Sequence, residues 1–398
     1  MSPQITKSAA DLAFADLIYP LSEDTFFAEY WEKKPFVSTG RPADFFMPLF
    51  SIADLDRFIA FTRPKSGYLD LVTSEGFVTD NYLNSDGTAN VNLVREGYLK
   101  GSTIILGGLE LTWEPLAHFT ATIEGRLSHP VAVAVYVTPP NIKGVKPHYD
   151  TQENFLLQVE GVKTWKVYKP VYELPPVEGS YQPVPREKLS EPILETELHA
   201  GEVLYIPRGF VHEGAAGAKA SLHITVDIHV RTWLDFFSDA LHAAADRDPR
   251  FRRALPAGFL NSPAALDAMS ADFDESLEVF RQNARLNDAI GKHVDVLAVR
   301  KPPPPDGHFA VLHAEILPGT RLKVRRTSVR RLFREGGVAG MQFSGNQIIG
   351  PEKIASALEY IAGRETFTPT SLPGPLNENE KLVLVRRLVR IGLLTLDK

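Results

Sequence analysis

The chain has 398 residues, of which 44% are apolar and 23% charged, and its formal net charge is −6. This balance is ordinary for a folded protein of two or three domains, and it excludes disorder over most of the chain. The sequence contains no cysteine. Disulfides, thiolate nucleophiles, iron–sulfur clusters and cysteine-ligated zinc sites are therefore excluded.

Charge and hydropathy also bear on location and domain number. No apolar run approaches the ~18–20 residues that a membrane-spanning helix needs, and the segment Met1–Phe14 lacks the apolar stretch of a secretory signal. We therefore expect no membrane association and a cytoplasmic location. Residues 301–398 contain 15 Lys and Arg against 9 Asp and Glu, a net of +6, so that the first 300 residues carry −12. The last quarter is predicted to be a separate domain.

The N-terminal region combines helical patterns with short β-rich runs. Residues 22–36 have apolar spacing typical of a helix, with Asp24 or Thr25 as its cap and Pro35 as its end. A second helix is predicted over 52–62, with Ser51 as its cap. From 67 to 110 the pattern predicts turns between short strands.

Residues 130–230 are rich in short β-branched and aromatic runs separated by Gly, Pro and Asn, without helical patterns between them. This spacing favours an antiparallel sandwich or barrel over alternating strands and helices. The proline-rich loop 170–191 interrupts the pattern, and we predict it to be a lid. The predicted strands cover 132–139, 154–161, 163–170, 201–209 and 221–230.

From Trp233 to Arg300 the apolar spacing is helical, and the proline-rich segment 301–307 then predicts a semi-rigid linker. Beyond it, short strands are expected at 309–317 and 321–326. Helices are expected at 351–363 and 377–394, the second opened by Asn377 and Glu380 in a capping-box arrangement.

A metal-ligand pattern is the clearest chemical signal in the sequence. His148 and Asp150 are two residues apart in a strand-like run, so their side chains point to the same face. His212 follows a strand and a Pro-x-Gly turn and is a candidate third ligand. Two histidines and one carboxylate are the facial triad of non-haem Fe(II) oxygenases. This triad leaves positions for a bidentate 2-oxoacid and for dioxygen. The competing interpretation is a surface His-x-Asp pair together with an unrelated core histidine.

These motifs resemble a known family. Residues 201–212 are similar to the second cupin motif, and 148–150 with 154–168 resemble the JmjC-type 2-oxoglutarate oxygenases. The similarity is greater to the ribosomal oxygenase subgroup, which hydroxylates ribosomal proteins, and it extends to residues 26–36 and to the basic C-terminal part.

The resemblance implies a mainly β fold with α-helices. Residues 1–235 would form a JmjC/cupin domain, a double-stranded β-helix with its barrel core at about 95–232. Residues 236–300 would form a helical dimerisation segment, and residues 306–398 a C-terminal winged-helix domain.

The resemblance also implies the cofactors and their ligands. His148, Asp150 and His212 would be the catalytic centre and bind Fe(II). Lys163 would pair with the distal carboxylate of 2-oxoglutarate, helped by Tyr136. A surface position for Lys163 and simple packing for Tyr136 are the alternatives.

Further positions of the sequence can be compared with those of the family. His223 and Thr225 match positions on the strand after the third ligand, and the resemblance implies that His223 binds the cofactor. Asp227 departs from the small hydroxyl residue expected there. Glu153 lies where many metal cupins have a carboxylate ligand, but the JmjC resemblance implies that it is not one.

The implied partners are a ribosomal protein substrate, modified on an Arg or His side chain, dioxygen, and a second copy of the chain. A basic stripe is a candidate for nucleic-acid contact, although a solvated face, or one that docks on the acidic first 300 residues, is the simpler explanation. Its members are Arg321, Lys323, Arg325, Arg326, Arg330, Arg331 and Arg334.

Three alternative functions stay open on the sequence alone. The same oxygenase chemistry can act on RNA, a small metabolite or a methyl-lysine. A metal cupin can bind a partner without turnover. The C-terminal domain can make the protein a nucleic-acid-binding regulator.

Overall fold

The N-terminal third of the chain supplies helices and short strands that surround the sheets. The computed structural model describes residues 11–79, 82–176, 181–299, 301–325 and 329–397. The elements of this part are helices α1 (Phe14–Ile18), α2 (Glu23–Glu29), α3 (Ile52–Thr62), α4 (Val91–Leu99) and α5 (Glu114–Leu127), and strands β1 (Phe36–Ser38), β2 (Leu69–Thr73), β3 (Gly76–Phe77) and β4 (Thr103–Gly107).

The first predicted helix is shorter than expected and has a different cap. Helix α2 ends at Glu29, well before Pro35, and Ser22 accepts a hydrogen bond from the N–H of Thr25. Glu32 then has a positive φ of 61°, which turns the chain toward β1. The proline therefore does not end the helix as predicted.

Helix α3 has the predicted bounds, and the N–H and hydroxyl of Ser51 both donate to the Asp54 carboxylate. Helix α4 was not predicted. It interrupts the strands expected between 67 and 110, and its cap Asn90 accepts hydrogen bonds from two N–H groups of the first turn. The capping side chain and the burial of Val94 outweigh the weak helical pattern of this segment.

The central region is built from nine strands, as the alternation of short β-rich runs predicts. They are β5 (Val131–Thr138), β6 (His148–Asp150), β7 (Glu153–Glu160), β8 (Val162–Pro170), β9 (Tyr181–Pro183), β10 (Leu194–His199), β11 (Val203–Ile206), β12 (Phe210–Ala216) and β13 (Ser221–Ile228). One sheet has the order β1-β11-β7-β13-β5-β4-β2-β3 and the other β10-β8-β12-β6-β9. Neighbouring strands within these two sheets pair antiparallel.

Alternation along the strands separates an apolar face from a cavity face. On β13 the even-numbered residues from Leu222 to Ile228 pack in a core with the N-terminal helices. The odd-numbered His223, Thr225 and Asp227 line a cavity between the two sheets. The period-2 geometry of a strand thus gives β13 both a packing role and a polar face.

The helical part predicted after Trp233 contains α6 (Trp233–Arg247), α7 (Pro263–Asn283) and α8 (Leu286–Val294), followed by a π-helical turn at Asp295–Val299. The remaining elements are β14 (Leu322–Val324), β15 (Arg330–Glu335), β16 (Val338–Phe343), β17 (Asn346–Pro351), α9 (Ala355–Ala362), β18 (Thr366–Phe367), α10 (Glu378–Arg390) and β19 (Leu394–Leu396).

The C-terminal part has a core of its own, formed by residues between Val311 and Leu394. It contains two three-stranded sheets, β18-β14-β19 and β15-β16-β17. The strand predicted at 309–317 is absent: a short 3-10 turn, His308–Val311, stands there, and single apolar side chains anchor the segment to the core. The capping box of Asn377 and Glu380 at the start of α10 is confirmed.

Among the described residues, no helix combines the length and the hydropathy needed to cross a bilayer.

Candidate active site

Two strands of the smaller sheet bring three ligand-type side chains together. His148 and Asp150 lie on β6, and His212 lies opposite His148 on the neighbouring β12. The Asp150 Oδ2 atom is 3.8 Å from Nε2 of His148 and 3.5 Å from Nε2 of His212. Ligand atoms of all three residues lie within 4.8 Å of one another, which is close enough for a single metal ion. The structure thus brings together the three residues that the sequence pattern singled out.

Backbone hydrogen bonds orient both imidazoles. Nδ1 of His148 donates to the carbonyl of Lys146 at 2.8 Å, and Nδ1 of His212 donates to the carbonyl of Phe210 at 3.2 Å. The proton on Nδ1 leaves Nε2 of each ring free as a ligand on the side of Asp150. Burial lowers the pKa of each histidine to about 4, so that both rings are neutral near pH 7, the form that binds metal.

Asn154 fixes the orientation of the third ligand. Its amide Nδ2 donates to Oδ2 of Asp150 at 2.6 Å. Burial raises the pKa of Asp150, whereas His212 and this amide favour its charged form. Sequence reasoning missed Asn154 because the contact depends on how β6 leads into β7, which a motif does not show.

A cavity of about 430 Å³ extends from the three ligands to Lys163. Lys163 lies on β8, is almost completely buried, and has its ammonium group 4.7 Å from the centre of the Trp165 ring. None of the ion pairs found among the described residues involves it, and burial lowers its pKa to about 7. A buried cation without a carboxylate partner at the end of a cavity is suited to binding an anionic ligand.

Glycine provides the space for the Lys163 side chain. A Cβ on Gly214 of β12 would be 2.9 Å from Cε of Lys163 and 2.9 Å from the Trp165 ring. A Cβ on Gly144 would be 3.7 Å from the Lys163 Nζ. The position of the Lys163 side chain therefore depends on the absence of a Cβ at Gly214, whereas a Cβ at Gly144 would make only an ordinary contact with it.

Tyr136 and His223 form the wall of the cavity opposite β8. They are partners across β5 and β13, and their rings stack at 4.8 Å with an angle of 14°. Burial lowers the pKa of His223 and raises that of Tyr136, so that both side chains are uncharged near pH 7. Nδ1 of His223 is buried without a hydrogen-bond partner in the described structure. These two side chains therefore offer polar groups beside Lys163.

Residues 110–236, which include all of these side chains, match the family model of the JmjC domain. This segment is a JmjC domain. The match begins just before α5 and extends into the first turn of α6.

Curated relatives carry names that agree with this match. Ribosomal oxygenase 1 of Homo sapiens is 32% identical over 322 residues, which are 78% of this chain and 47% of that protein. The bifunctional lysine-specific demethylase and histidyl-hydroxylase NO66 of Branchiostoma floridae is 31% identical over 273 residues, 67% of this chain and 41% of that protein. The chain thus spans about half the length of the curated relatives it matches or less.

A solved structure has the same fold over most of the chain. The ribosomal oxygenase YcfD of Escherichia coli, in complex with cobalt and 2-oxoglutarate, has a TM-score of 0.54 and 19% identity. The alignment covers 95% of this chain and 99% of that one. At this identity, the likeness establishes a shared fold.

Glu153 lies in the JmjC domain but outside the group of three ligands. Its carboxylate accepts a hydrogen bond of 2.5 Å from the Tyr205 hydroxyl and lies 3.4 Å from Nε of Arg208. Arg208 also binds Glu32, at 2.5 Å. Through these contacts Glu153 connects the turn before His212 to the N-terminal region. It is not part of the group of three side chains that could hold a metal ion.

The loop that was predicted to be a lid contributes a strand to the sheet that carries His148, Asp150 and His212. Strand β9 pairs with β6, and the Tyr181 ring is 4.5 Å from the His148 ring. Residues 177–180 of the loop lie outside the described residues. The contact of Tyr181 with a ligand was not expected from the sequence, because a proline-rich loop gives no signal for a short strand.

Most of the basic stripe is occupied by contacts within the C-terminal part. Arg325 is buried and binds Asp306 and the Gly392 carbonyl. Four further members have side-chain partners: Arg321 with Asp397, Lys323 with Glu365, Arg331 with Gln342, and Arg334 with Glu359. Arg326 lies outside the described residues. The stripe therefore has a structural role that its composition alone did not indicate.

Proposed function

We propose that the chain is an Fe(II)- and 2-oxoglutarate-dependent protein hydroxylase. The observation that carries this proposal is the arrangement of the cavity in the JmjC domain, with three metal-ligand side chains at one end and Lys163 at the other. One end can hold a metal ion that the cofactor chelates. The other end can neutralise the distal carboxylate of the same cofactor.

The residues present fit the metal. Two imidazoles and one carboxylate, with Nε2 atoms and a carboxylate oxygen turned toward one another, are the donor set of non-haem Fe(II) centres. His148, Asp150 and His212 would hold the ion from one side. The cavity on the other side leaves room for further ligands.

The residues also fit 2-oxoglutarate. Lys163 lacks an anionic partner among the described residues, and Tyr136 and His223 lie on the opposite wall. We propose that Lys163 binds the distal carboxylate and that Tyr136 and His223 position the cofactor beside it. When bound, Fe(II) and 2-oxoglutarate would supply oxidation of an unactivated C–H bond by dioxygen, with release of succinate and carbon dioxide.

The protein's contribution would be to bind, orient and exclude water. Asn154 holds Asp150 in place, and two backbone carbonyls hold the histidine rings. Leu156 and Trp165 make part of the cavity wall apolar, and Tyr181 covers His148. No side chain is needed as an acid–base catalyst.

We propose a ribosomal protein as the substrate, modified on an Arg or His side chain. The names of the curated relatives, ribosomal oxygenase and histidyl-hydroxylase, support the substrate class and the histidine alternative, and the arginine alternative rests on the family resemblance. The test is to incubate the protein with ribosomal proteins, Fe(II), 2-oxoglutarate and oxygen, and to map +16 Da shifts by mass spectrometry. His212→Ala is the matched control. A shift that depends on His212 supports the proposal, and succinate formation with no modified ribosomal protein would overturn this substrate class.

Demethylation is a second candidate for the same site, because the name of one relative combines demethylase and hydroxylase activities. It predicts formaldehyde from methyl-lysine peptides. A metal cupin that binds a partner without turnover would bind the ion and form no succinate.

We further propose that the helical segment 236–300 forms a homodimer with a second copy. Large apolar side chains of α6 and α7 are exposed, among them Trp233, Phe237 and Phe273, the last at 63% of its surface. A monomer seldom leaves so many apolar groups in water. In light scattering, Phe273→Glu should lower the mass toward that of a monomer. Ala268→Glu, on a different face of the same helix, should not; an unchanged mass in both variants would contradict the proposal.

Residues 306–398 are proposed as the winged-helix domain that the family resemblance implies. Nucleic-acid contact through this domain stays a prediction. Because most of the stripe's cations already have partners, we expect such binding to be weak and only shallowly dependent on salt. The cytoplasmic location also stays a prediction.

A further inference from the structure

Asp227 is an acidic side chain in the cavity that the proposed chemistry does not use. It lies on β13 and lines the cavity together with His223 and Thr225. The charged groups that act on it are Asp150 and Glu110, both of them acidic. No ion pair or hydrogen bond joins its carboxylate to another described residue. The Asp227 side chain is partly buried, and its charged form is costly there unless a ligand supplies the opposite charge.

The strand places Asp227 at the metal end of the cavity. His223 is close to Lys163, and Asp227 is four residues further along the same face of β13, about 13 Å away at ~3.3 Å per residue. Across the sheet, Asp227 pairs with Asn154, the residue that holds Asp150. A cofactor that extends from Lys163 to the three ligands would leave Asp227 on its far side. A substrate side chain must approach the metal from such a position.

The space beside Asp227 is not filled by its neighbour. Its partner on β5 is Ala132, whereas the partner of His223 is the large Tyr136. Both partners lie on the face of β5 opposite to the core residues Val131 and Val133. Across the sheet, Asp227 therefore has a small neighbour where His223 has an aromatic ring.

The charges at this end of the cavity favour a cation beyond the proposed cofactors. A metal dication, a 2-oxoglutarate dianion, Asp150 and Lys163 have formal charges that cancel. Asp227 and Glu110 then have no opposite charge among these groups. Burial, together with Asp150 and Glu110, raises the pKa of Asp227 well above its usual range, and a bound cation would stabilise its charged form. The Glu110 carboxylate accepts a hydrogen bond from the N–H of Val133, whereas Asp227 has no such donor.

We propose that Asp227 determines substrate specificity by binding the guanidinium group of an arginine side chain, which makes this enzyme selective for arginine over histidine. This inference rests on the proposed function. A guanidinium is always charged and can donate two parallel hydrogen bonds to one carboxylate. An imidazole near pH 7 is mostly neutral and can donate only one. The carboxylate of Asp227 thus discriminates by charge and by geometry.

The test uses pools of twelve-residue peptides with random flanking positions and one fixed central residue: arginine, citrulline, histidine or glutamine. Citrulline has nearly the shape of arginine without its charge. Each pool is incubated with Fe(II), 2-oxoglutarate and oxygen, and the +16 Da shift at the central residue is measured. Succinate is measured in parallel. For wild type, we expect the arginine pool to react at least about tenfold faster than the citrulline or histidine pool.

Two variants refine the test. Asp227→Asn should reduce the ratio of the arginine rate to the citrulline rate toward one. Because both rates are measured on the same variant, this ratio does not depend on the amount of active protein. Glu75→Gln is the matched control, since it removes an equal charge from an exposed residue of the same cavity. The control should keep the wild-type ratio.

The outcomes separate this inference from the proposed function. Succinate formation with equal rates for arginine and citrulline, or with a preference for histidine, would overturn the role of Asp227 and leave the oxygenase class standing. A preference for arginine that persists in Asp227→Asn would also overturn it. No succinate from wild type under any condition would refute the proposed function itself.

Discussion

His212 and His148 are direct partners across the antiparallel strands β12 and β6, and their ring centres are 4.3 Å apart. Because side chains alternate along a strand, this register puts both imidazoles on the cavity face together with Asp150. A register shift of one residue would turn one ring away from the others. The pairing of two distant segments therefore creates the candidate metal centre.

The support of Asp150 by Asn154 is testable through metal affinity. Asn154→Ala removes the 2.6 Å hydrogen bond to Oδ2. Since residues that orient a ligand typically contribute 10–100-fold to affinity, we expect about a tenfold weaker binding of Mn(II) in calorimetry. Asn346→Ala, which removes an amide of the C-terminal part, should bind Mn(II) like wild type. Equal affinities in Asn154→Ala and wild type would show that Asp150 does not need this support.

Binding of 2-oxoglutarate should depend on pH through Lys163. Burial lowers the pKa of Lys163 to about 7, and the proposed partner of the cofactor is the ammonium form. Above this pH the lysine loses its proton, so binding must take up a proton and the affinity should fall with rising pH. We expect a decrease approaching tenfold per pH unit above about pH 7, measured with Mn(II) in place of Fe(II).

Lys163→Arg is the control for this pH dependence, because a guanidinium keeps its charge over the whole range. Its affinity for 2-oxoglutarate should be flat between pH 6.5 and 8.5, whatever its absolute value. The same slope in wild type and Lys163→Arg would assign the proton to another group.

The space that Gly214 leaves should matter for the cofactor. In Gly214→Ala the new Cβ would be 2.9 Å from Lys163 Cε and from the Trp165 ring, so the lysine must move. We expect weaker 2-oxoglutarate binding with Mn(II) affinity retained. Gly217→Ala is the matched control, because its Cβ would be an ordinary 3.5 Å from the Val162 carbonyl. Equal 2-oxoglutarate affinities for the two variants would contradict this account of Lys163.

The ion network behind the turn before His212 should affect stability. Arg208 lies between Glu153 and Glu32, and Glu153 is completely buried. Arg208→Met would leave the buried Glu153 carboxylate without its cation, and we expect a loss of about 3–5 kcal/mol in the free energy of unfolding. The double variant with Glu153→Gln should recover part of it. Urea denaturation measures both, and additive effects of the two substitutions would show that the residues do not interact.

The sequence predicted the antiparallel sheets and the three ligands because both follow from local rules. His148 and Asp150 share a face through strand alternation, and the turn before His212 has a recognisable pattern. The contacts of Asn154, Tyr181 and Arg208 depend on the pairing and connection of particular strands, which local patterns do not encode.

The departures from the predicted elements have similar causes. Helix α4 depends on the side chain of Asn90 and on tertiary burial of Val94. The apolar run 309–317 predicted a strand, but it finds no neighbouring strand with which to pair and instead anchors to the C-terminal core. In the basic stripe, charge composition could not show that Arg325 is buried against Asp306.

The most direct test of the proposed chemistry is an anaerobic titration of wild type with Fe(II) and then with 2-oxoglutarate, followed by visible absorption. We expect a charge-transfer band of the iron chelate that is absent in His148→Ala and weaker in Lys163→Ala. A wild-type protein that binds Fe(II) but shows no band with saturating 2-oxoglutarate would contradict the assignment of this cavity to a 2-oxoglutarate oxygenase.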